Sequence, residues 1–129
     1  FAARGDVPWM SFGVMGGDMQ PQGQAQIVIN RVDYGLEIQA AGDSPRWHHE
    51  GSSETMGEDS PDDGINGVLR LESGVPAATQ RQLADIGWTL GESDGGFGRY
   101  QCVEHRMDGD TRVYAAASEM RADGCALAY

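Results

Sequence analysis

Hydrophobic positions along the chain fall into short clusters separated by glycine-rich and acidic stretches. The first cluster, Pro8-Trp9-Met10-Ser11-Phe12-Gly13-Val14-Met15, is apolar on both faces of an extended backbone. It predicts a largely buried strand ending at Gly16-Gly17. Pro21 suits the first helical position, where its fixed φ helps and its missing N–H costs nothing. Ala25, Val28, Ile29 and Val32 then recur at i, i+3, i+4 and i+7, which predicts a helix with one apolar face that ends near Gly35. A short second helix, about Ile38 to Gly42, stops before Ser44-Pro45, because the residue before proline avoids the α region. Val68 to Glu72 reads as a strand. Pro76 starts a helix in which Thr79, Leu83 and Ile86 share a face, closed by Gly87. Trp88 to Leu90, Arg99 to Arg106 and Thr111 to Ser118 read as strands, the last two joined into a hairpin by Asp108-Gly109-Asp110. The order β-α-α-loop-β-α-β-β-β predicts an α+β fold with a mainly antiparallel sheet and flanking helices.

Between these elements, residues 48–67 carry Glu50, Glu54, Glu58, Asp59, Asp62 and Asp63 without an arginine, which predicts a solvated acidic loop. At 129 residues, a single domain over 1–129 is expected. Twenty acidic side chains face nine basic ones, all arginine, for a net charge of −11. That balance repels phosphate backbones and anionic headgroups, which argues against nucleic-acid and membrane-surface partners. No apolar run approaches the roughly 20 residues that span a bilayer. Two cysteines are too few for a disulfide scaffold or a cysteine-ligated zinc site. The chain starts at Phe1 in mid-pattern, which suggests a piece of a larger protein. Its compartment, cytoplasm or periplasm, stays open.

Several local patterns carry candidate chemistry. Arg4-Gly5-Asp6 has the form of an adhesion tripeptide, but Gly-Asp also favours a plain turn between two strands. His48-His49-Glu50 contains metal-ligating types, yet neighbouring side chains on an extended backbone point to opposite faces and cannot easily share one ion. The acidic loop lacks the alternating spacing and closing glutamate of a calcium loop. Gly95-Gly96-Phe97-Gly98 is glycine-rich without the lysine or the helix of a phosphate cradle, and reads as a tight entry into the Arg99 strand. Cys102 and Cys125 stand beside no His–Asp arrangement and read as inert thiols. Gly16-Gly17-Asp18 is the most informative feature. Backbone N–H groups between a strand end and a helix start can stabilise an oxyanion or hold a carboxylate, and a plain turn needing positive φ would use the same residues.

The run Pro8 to Gly23, with Gly16-Gly17-Asp18-Met19-Gln20-Pro21 at its centre, resembles the C-terminal half of the small subunit of gamma-glutamyltranspeptidase-like proteins. The resemblance continues through Asp33-Tyr34-Gly35, Gly42-Asp43-Ser44-Pro45-Arg46, Leu71-Glu72-Ser73-Gly74 and Gly95-Gly96-Phe97-Gly98-Arg99-Tyr100-Gln101. It closes at Ala117-Ser118, Arg121-Ala122-Asp123-Gly124 and Tyr129. It implies part of an αββα N-terminal-nucleophile sandwich, in which a self-cleaved precursor exposes a threonine whose hydroxyl attacks a gamma-glutamyl amide, as in glutathione, and whose α-amine acts as base. No cofactor or metal is implied. Two consecutive glycine amides hold the oxyanion in that family, and they map onto Gly16 and Gly17.

The departures from the family pattern shape the expectation. Residue 1 is Phe, while Thr55, Thr79, Thr89 and Thr111 are internal. The nucleophile and most substrate-contacting residues lie upstream of the matched segment, so no substrate-binding residue is assigned. Where the family usually closes with Ser-Asp-Pro-Arg, this chain has Ser118-Glu119-Met120-Arg121, which puts that edge of the fold in question. The implied partners are the rest of the small subunit, the large subunit and a gamma-glutamyl substrate; the isolated chain is expected to be inactive. Half of a sandwich would expose an apolar face, expected at Val14, Val28, Ile29, Leu69 and Leu71, and would self-associate through it. Alternative readings are a cephalosporin-acylase-type amidase and a non-catalytic assembly relative.

Overall fold

The computed structural model, which describes residues 1–51, 67–93 and 95–127, has the expected α+β, mainly antiparallel character. The chain divides into two compact units, one of Phe1–Ser44 with the chain from Gly98 on, the other Pro45–Phe97. In the first unit, β1 (Ala2–Arg4), β2 (Val7–Met15), β6 (Arg99–Asp108) and β7 (Thr111–Ser118) form a four-stranded sheet in the order β1-β2-β6-β7, every pairing antiparallel. Its helices are α1 (Met19–Val32) and α2 (Ile38–Asp43). The second unit holds β3 (Trp47–Glu50), β4 (Val68–Leu71), α3 (Ala77–Asp85) and β5 (Leu90–Gly91), with sheet order β3-β4-β5.

Met10, Phe12 and Val14 of β2 lie opposite Glu104, Cys102 and Tyr100 of β6, so these residues share one face of the four-stranded sheet. Met10, Val14, Tyr100 and Cys102 join Ile27 and Ile38 from the helices in the core of this unit. Close approach depends on glycine: a Cβ on Gly23 of α1 would sit 2.7 Å from Val14 Cγ1, and one on Gly42 of α2 would sit 2.3 Å from the Tyr100 ring. Burial pushes the Tyr100 hydroxyl well up from its ordinary range and raises the Cys102 thiol.

Helix α1 departs from its predicted orientation. Its buried positions are Met19, Gly23, Gln26 and Ile27. The predicted apolar stripe of Ala25, Val28, Ile29 and Val32 is exposed, Val32 to 57 %. The narrow Met19-Gly23-Ile27 row fits tightly onto β2, and this contact decides the facing against the wider aliphatic stripe. The helix also begins earlier than predicted. The amides of Met19 and Gln20 donate to Gly16 and Gly17 at 3.0 Å each. Pro21 therefore falls at the third helical position, where its absent N–H would have had no intrahelical acceptor. The helix ends as expected, with Gly35 at φ +65° and the Leu36 amide donating to Asn30 at 2.9 Å.

In the second unit, His48–Glu50 are strand rather than loop. They pair antiparallel with Arg70, Leu69 and Val68, and Arg70 Nε lies 2.8 Å from Glu50 Oε2. A polar composition hid this edge strand, whose pairing is supported by charge. The remainder of the predicted acidic loop, 52–66, lies outside the described residues. Helix α3 buries none of its residues, and Ile86 of its predicted face is 74 % exposed. The predicted strand at Trp88 shifts to Leu90–Gly91, because the Trp88 amide donates to Leu83 at 3.0 Å and belongs to the helix exit. Of the face expected to drive self-association, Val14 and Leu69 are buried and Leu71 is half-buried, while Val28 and Ile29 are exposed.

Gly42→Ala should lower unfolding free energy by about 2 kcal/mol, because its methyl group meets the Tyr100 ring in a packed core. Gly13→Ala, whose Cβ meets nothing within 4 Å among the described residues, should stay within about 0.5 kcal/mol. Denaturant midpoints of the two variants give the comparison. Thiol labelling provides a second check: exposed Cys125 should react in the native state, and buried Cys102 only on unfolding.

Candidate functional site

The strand β2 runs out where its ladder with β6 ends, at Met15 opposite Arg99. Gly16 follows at φ +139° and Gly17 at φ +57°, conformations that side-chain-bearing residues rarely adopt. Their carbonyls accept the first two amides of α1, so the chain turns directly from strand into helix. Both glycines thus lie beyond the last ladder pair and immediately before the positive end of a 14-residue helix. No acidic side chain occupies the first helical turn, and Asp18 at the N-cap makes no side-chain capping bond. Among the described residues, a Cβ on Gly17 would meet nothing within 4 Å, so that position is open to them. Gly16 is packed instead: a Cβ there would sit 3.0 Å from the Gly98 Cα. The arrangement suits stabilisation of negative charge by main-chain dipoles.

Gly98 joins this turn through its own constraint. At φ +76°, a Cβ on it would lie 2.4 Å from Val14 Cγ1 and 2.5 Å from the Met15 carbonyl. The glycine cluster Gly95, Gly96 and Gly98, all with positive φ, is therefore a tight entry into β6. In the second unit, the motifs quoted above meet one another. The buried Arg46 donates its amide to Glu72 Oε2 at 2.7 Å and its Nη1 to the Phe97 carbonyl at 2.8 Å, and a Cβ on Gly74 would press on Pro45 at 2.5 Å.

Other sequence candidates disperse. Arg4-Gly5-Asp6 forms the β1–β2 turn, with Gly5 at φ +59° and the Arg4 guanidinium 4.1 Å from the Trp9 ring centroid. His48 and His49 are successive strand residues, and His49 meets Trp88 edge-on at 5.5 Å. Among the described residues, no three His, Cys, Asp or Glu side chains come together as metal ligands. Thr79 lies in α3, Thr89 just before β5 and Thr111 at the start of β7, whereas Thr55 and Tyr129 fall outside the described residues.

The edge carrying Ser118-Glu119-Met120-Arg121 forms a clasp onto α2. Arg121 donates to the carbonyls of Gly42 at 2.9 Å and Ser44 at 3.0 Å while pairing with the buried Glu119. Sequence reading missed Glu104, a buried carboxylate bonded by Trp9 and Arg31. Its signal was an acid on the inward face of β6, in step with Tyr100 and Cys102.

The sequence profile of the family described as Gamma-glutamyltranspeptidase matches residues 1–129. A glutathione hydrolase-like YwrD proenzyme from Bacillus subtilis is 28 % identical over 127 residues, which are 96 % of this chain and 22 % of that protein. Among solved structures, a cephalosporin acylase from Bacillus halodurans superposes with TM-score 0.79 at 35 % identity, over 98 % of this chain and 21 % of its own. Gamma-glutamyltranspeptidase from Pseudomonas nitroreducens superposes with TM-score 0.74 at 20 % identity, over 99 % of this chain and 59 % of its own. The chain thus spans about a fifth of the curated relative and under two-thirds of that transpeptidase chain. Matched along its whole length, and folded with mainly antiparallel sheet and helices as its solved relatives are, the chain belongs to the gamma-glutamyltranspeptidase family.

Proposed function

We propose that this chain contributes the oxyanion-binding turn and the sheet framework of a gamma-glutamyl amide hydrolase or acyltransferase. The observation that carries the reading is the strand–Gly16–Gly17–helix turn, placed beyond the ladder and, among the described residues, beside open space. In this reading, a threonine hydroxyl from the parent protein adds to the amide carbonyl carbon while its own amine takes the proton. The Gly16 and Gly17 N–H groups donate to the oxygen that becomes negative. Collapse of the adduct breaks the C–N bond, the amine leaves with the proton, and water or an amino acceptor then takes the acyl group from the ester. Threonine is supplied from outside residues 1–129, so these residues alone carry out no turnover.

A second reading, an amidase of cephalosporin-acylase type, is favoured by one observation: identity to the Bacillus halodurans enzyme is 35 %, against 20 % to the Pseudomonas nitroreducens transpeptidase. Assay of the intact parent with a gamma-glutamyl anilide and with a glutaryl cephalosporin separates the two. Lack of a processing threonine in the parent sequence would leave a non-catalytic assembly relative instead.

The partners in this proposal are the rest of the small subunit and the large subunit. Helix α1 is apolar on two sides, with Met19 and Ile27 buried and Val28, Ile29 and Val32 exposed. Such a helix fits between two layers rather than at a surface.

Removing the Gly17 N–H by an amide-to-ester replacement in the parent should lower turnover by about 100- to 1000-fold. Proline is unsuitable for this purpose, since φ +57° is closed to it. Gly17→Ala keeps the donor and should retain turnover within about tenfold. Full activity of the ester variant would remove the assigned role. Expressed alone, the 129-residue chain should form dimers or larger species in light scattering, and Ile29→Glu should shift it toward monomer. A monomer at high concentration would refute this face as an interface.

A further inference from the structure

A cavity of about 400 Å³ opens at the start of β2, the end remote from Gly16-Gly17. Trp9 and Gly16 are seven residues apart on an extended strand, roughly 23 Å at about 3.3 Å per residue. The cavity is therefore separate from the turn assigned above, and the inference drawn from it does not rest on that reading. Arg4, Arg31 and Arg106 line it together with Trp9, Glu104 and His105. Three of the chain's nine basic side chains are gathered here, although the whole chain carries a net charge of −11.

Local backbone geometry builds this site. The β1–β2 register shifts between Ala2, opposite Met10, and Ala3, opposite Pro8, which leaves Trp9 as the extra residue of a bulge. A bulge re-aims a side chain that strand alternation would otherwise direct away. Trp9 accordingly reaches the face that carries Glu104, donating its indole N–H to Oε1 at 2.8 Å. Arg31 Nη2 pairs with the same carboxylate oxygen. Arg106 Nη2 lies 3.1 Å from Glu104 Oε2 and 3.1 Å from Glu37 Oε2. Arg4 stacks on the Trp9 ring at 4.1 Å, and no carboxylate pairs with it among the described residues.

Donors exceed acceptors. Each guanidinium offers five N–H groups, and the acceptors engaging Arg31 and Arg106 are two carboxylates and the Leu36 carbonyl. The Nε atoms of Arg31 and Arg106 are buried with no acceptor among the described residues. His105 adds a polar edge: its Nδ1 lies 3.2 Å from the Pro8 carbonyl, which can only accept, so the proton sits on Nδ1. Among the described residues, and counting Glu37, three positive charges face two negative ones, and the uncompensated charge is that of Arg4. The remaining wall is apolar, from Trp9, Val7, Pro8 and Met107.

We infer that this cavity binds a small organic carboxylate with an apolar body, its charge held by Arg4 and Arg106 and its body against Trp9. Arg31 and Glu104 are positioning residues that hold the indole in place. A carboxylate fits better than a bare inorganic anion, since much of the lining is hydrocarbon and indole.

The test uses the intact parent protein labelled with fluorotryptophan, its Trp9 fluorine resonance assigned through Trp9→Phe. Titration with benzoate should move that resonance saturably, while uncharged benzamide should bind at least about tenfold more weakly. Arg4→Gln, at an exposed strand end, should weaken benzoate about fivefold or more with the circular dichroism spectrum unchanged, and Arg106→Gln should weaken it as well. Equal response to benzoate and benzamide, absence of a shift, or undiminished affinity in Arg4→Gln would each overturn the site. Inorganic phosphate binding more tightly than benzoate would overturn the assignment to a carboxylate with an apolar body.

Discussion

Side-chain absence around Val14 is the constraint on which the first unit depends. Gly23 from α1 and Gly98 from the entry to β6 both press on one Val14 methyl group, with virtual Cβ distances of 2.7 and 2.4 Å. Gly16 in turn leans on Gly98 at 3.0 Å. One valine and three glycines therefore bring together a strand end, a helix and a distant loop, and the turn at Gly16-Gly17 takes its geometry from that contact. The distances leave no room for a methyl group at two of these positions without backbone movement.

A second ordering influence is arginine. Arg31 and Arg106 enclose the buried Glu104, and Arg121 with Glu119 binds the carbonyls at the end of α2. Arg46 fastens Glu72 to the Phe97 carbonyl in the other unit. A planar guanidinium with divergent donors can serve a carboxylate and a carbonyl at once, which a lysine ammonium does less well. In a chain without lysine and with a large acidic excess, these scarce cations lie at junctions between segments far apart in sequence. Loss of either partner from the buried pairs would leave an uncompensated charge inside the protein.

Much of this was legible before any coordinates. The apolar run into Gly16-Gly17, the short helix ended by Ser44-Pro45, and the Asp108-Gly109-Asp110 hairpin each combine a strong pattern with a local stop signal, and each was found at its expected place. The first strand, expected to be largely buried, buries only Met10 and Val14, because the described residues leave one of its faces uncovered. Helix α1 was found but turned the wrong way, because hydrophobicity counts favour Val28, Ile29 and Val32 over a row containing glycine and glutamine. Close approach rewards a missing side chain, and no hydropathy scale registers that. Strand β3 was hidden by its histidines and glutamate, since its stability comes from pairing with β4 and from the Arg70–Glu50 contact. At the candidate site, the turn itself could be read from two glycines and a helix start. The Trp9–Glu104–Arg31 cluster could not, because the Arg31–Glu104 pair joins residues 73 positions apart and a bulge, rather than strand alternation, sets the direction of Trp9.

The Arg121 clasp bears on how such a chain is made. The guanidinium that completes the end of α2 is encoded 77 residues after Ser44 and 79 after Gly42. Strands β2 and β6 are likewise separated by the whole of the second unit. Once Pro45–Phe97 has emerged from the ribosome, that intervening segment can pair β3, β4 and β5, whereas residues 1–44 wait with one sheet edge and one helix terminus unfilled. Synthesis order thus opposes contact order. Residues 1–44 stay open to association until Gly98 and the strands that follow it emerge to close the sheet.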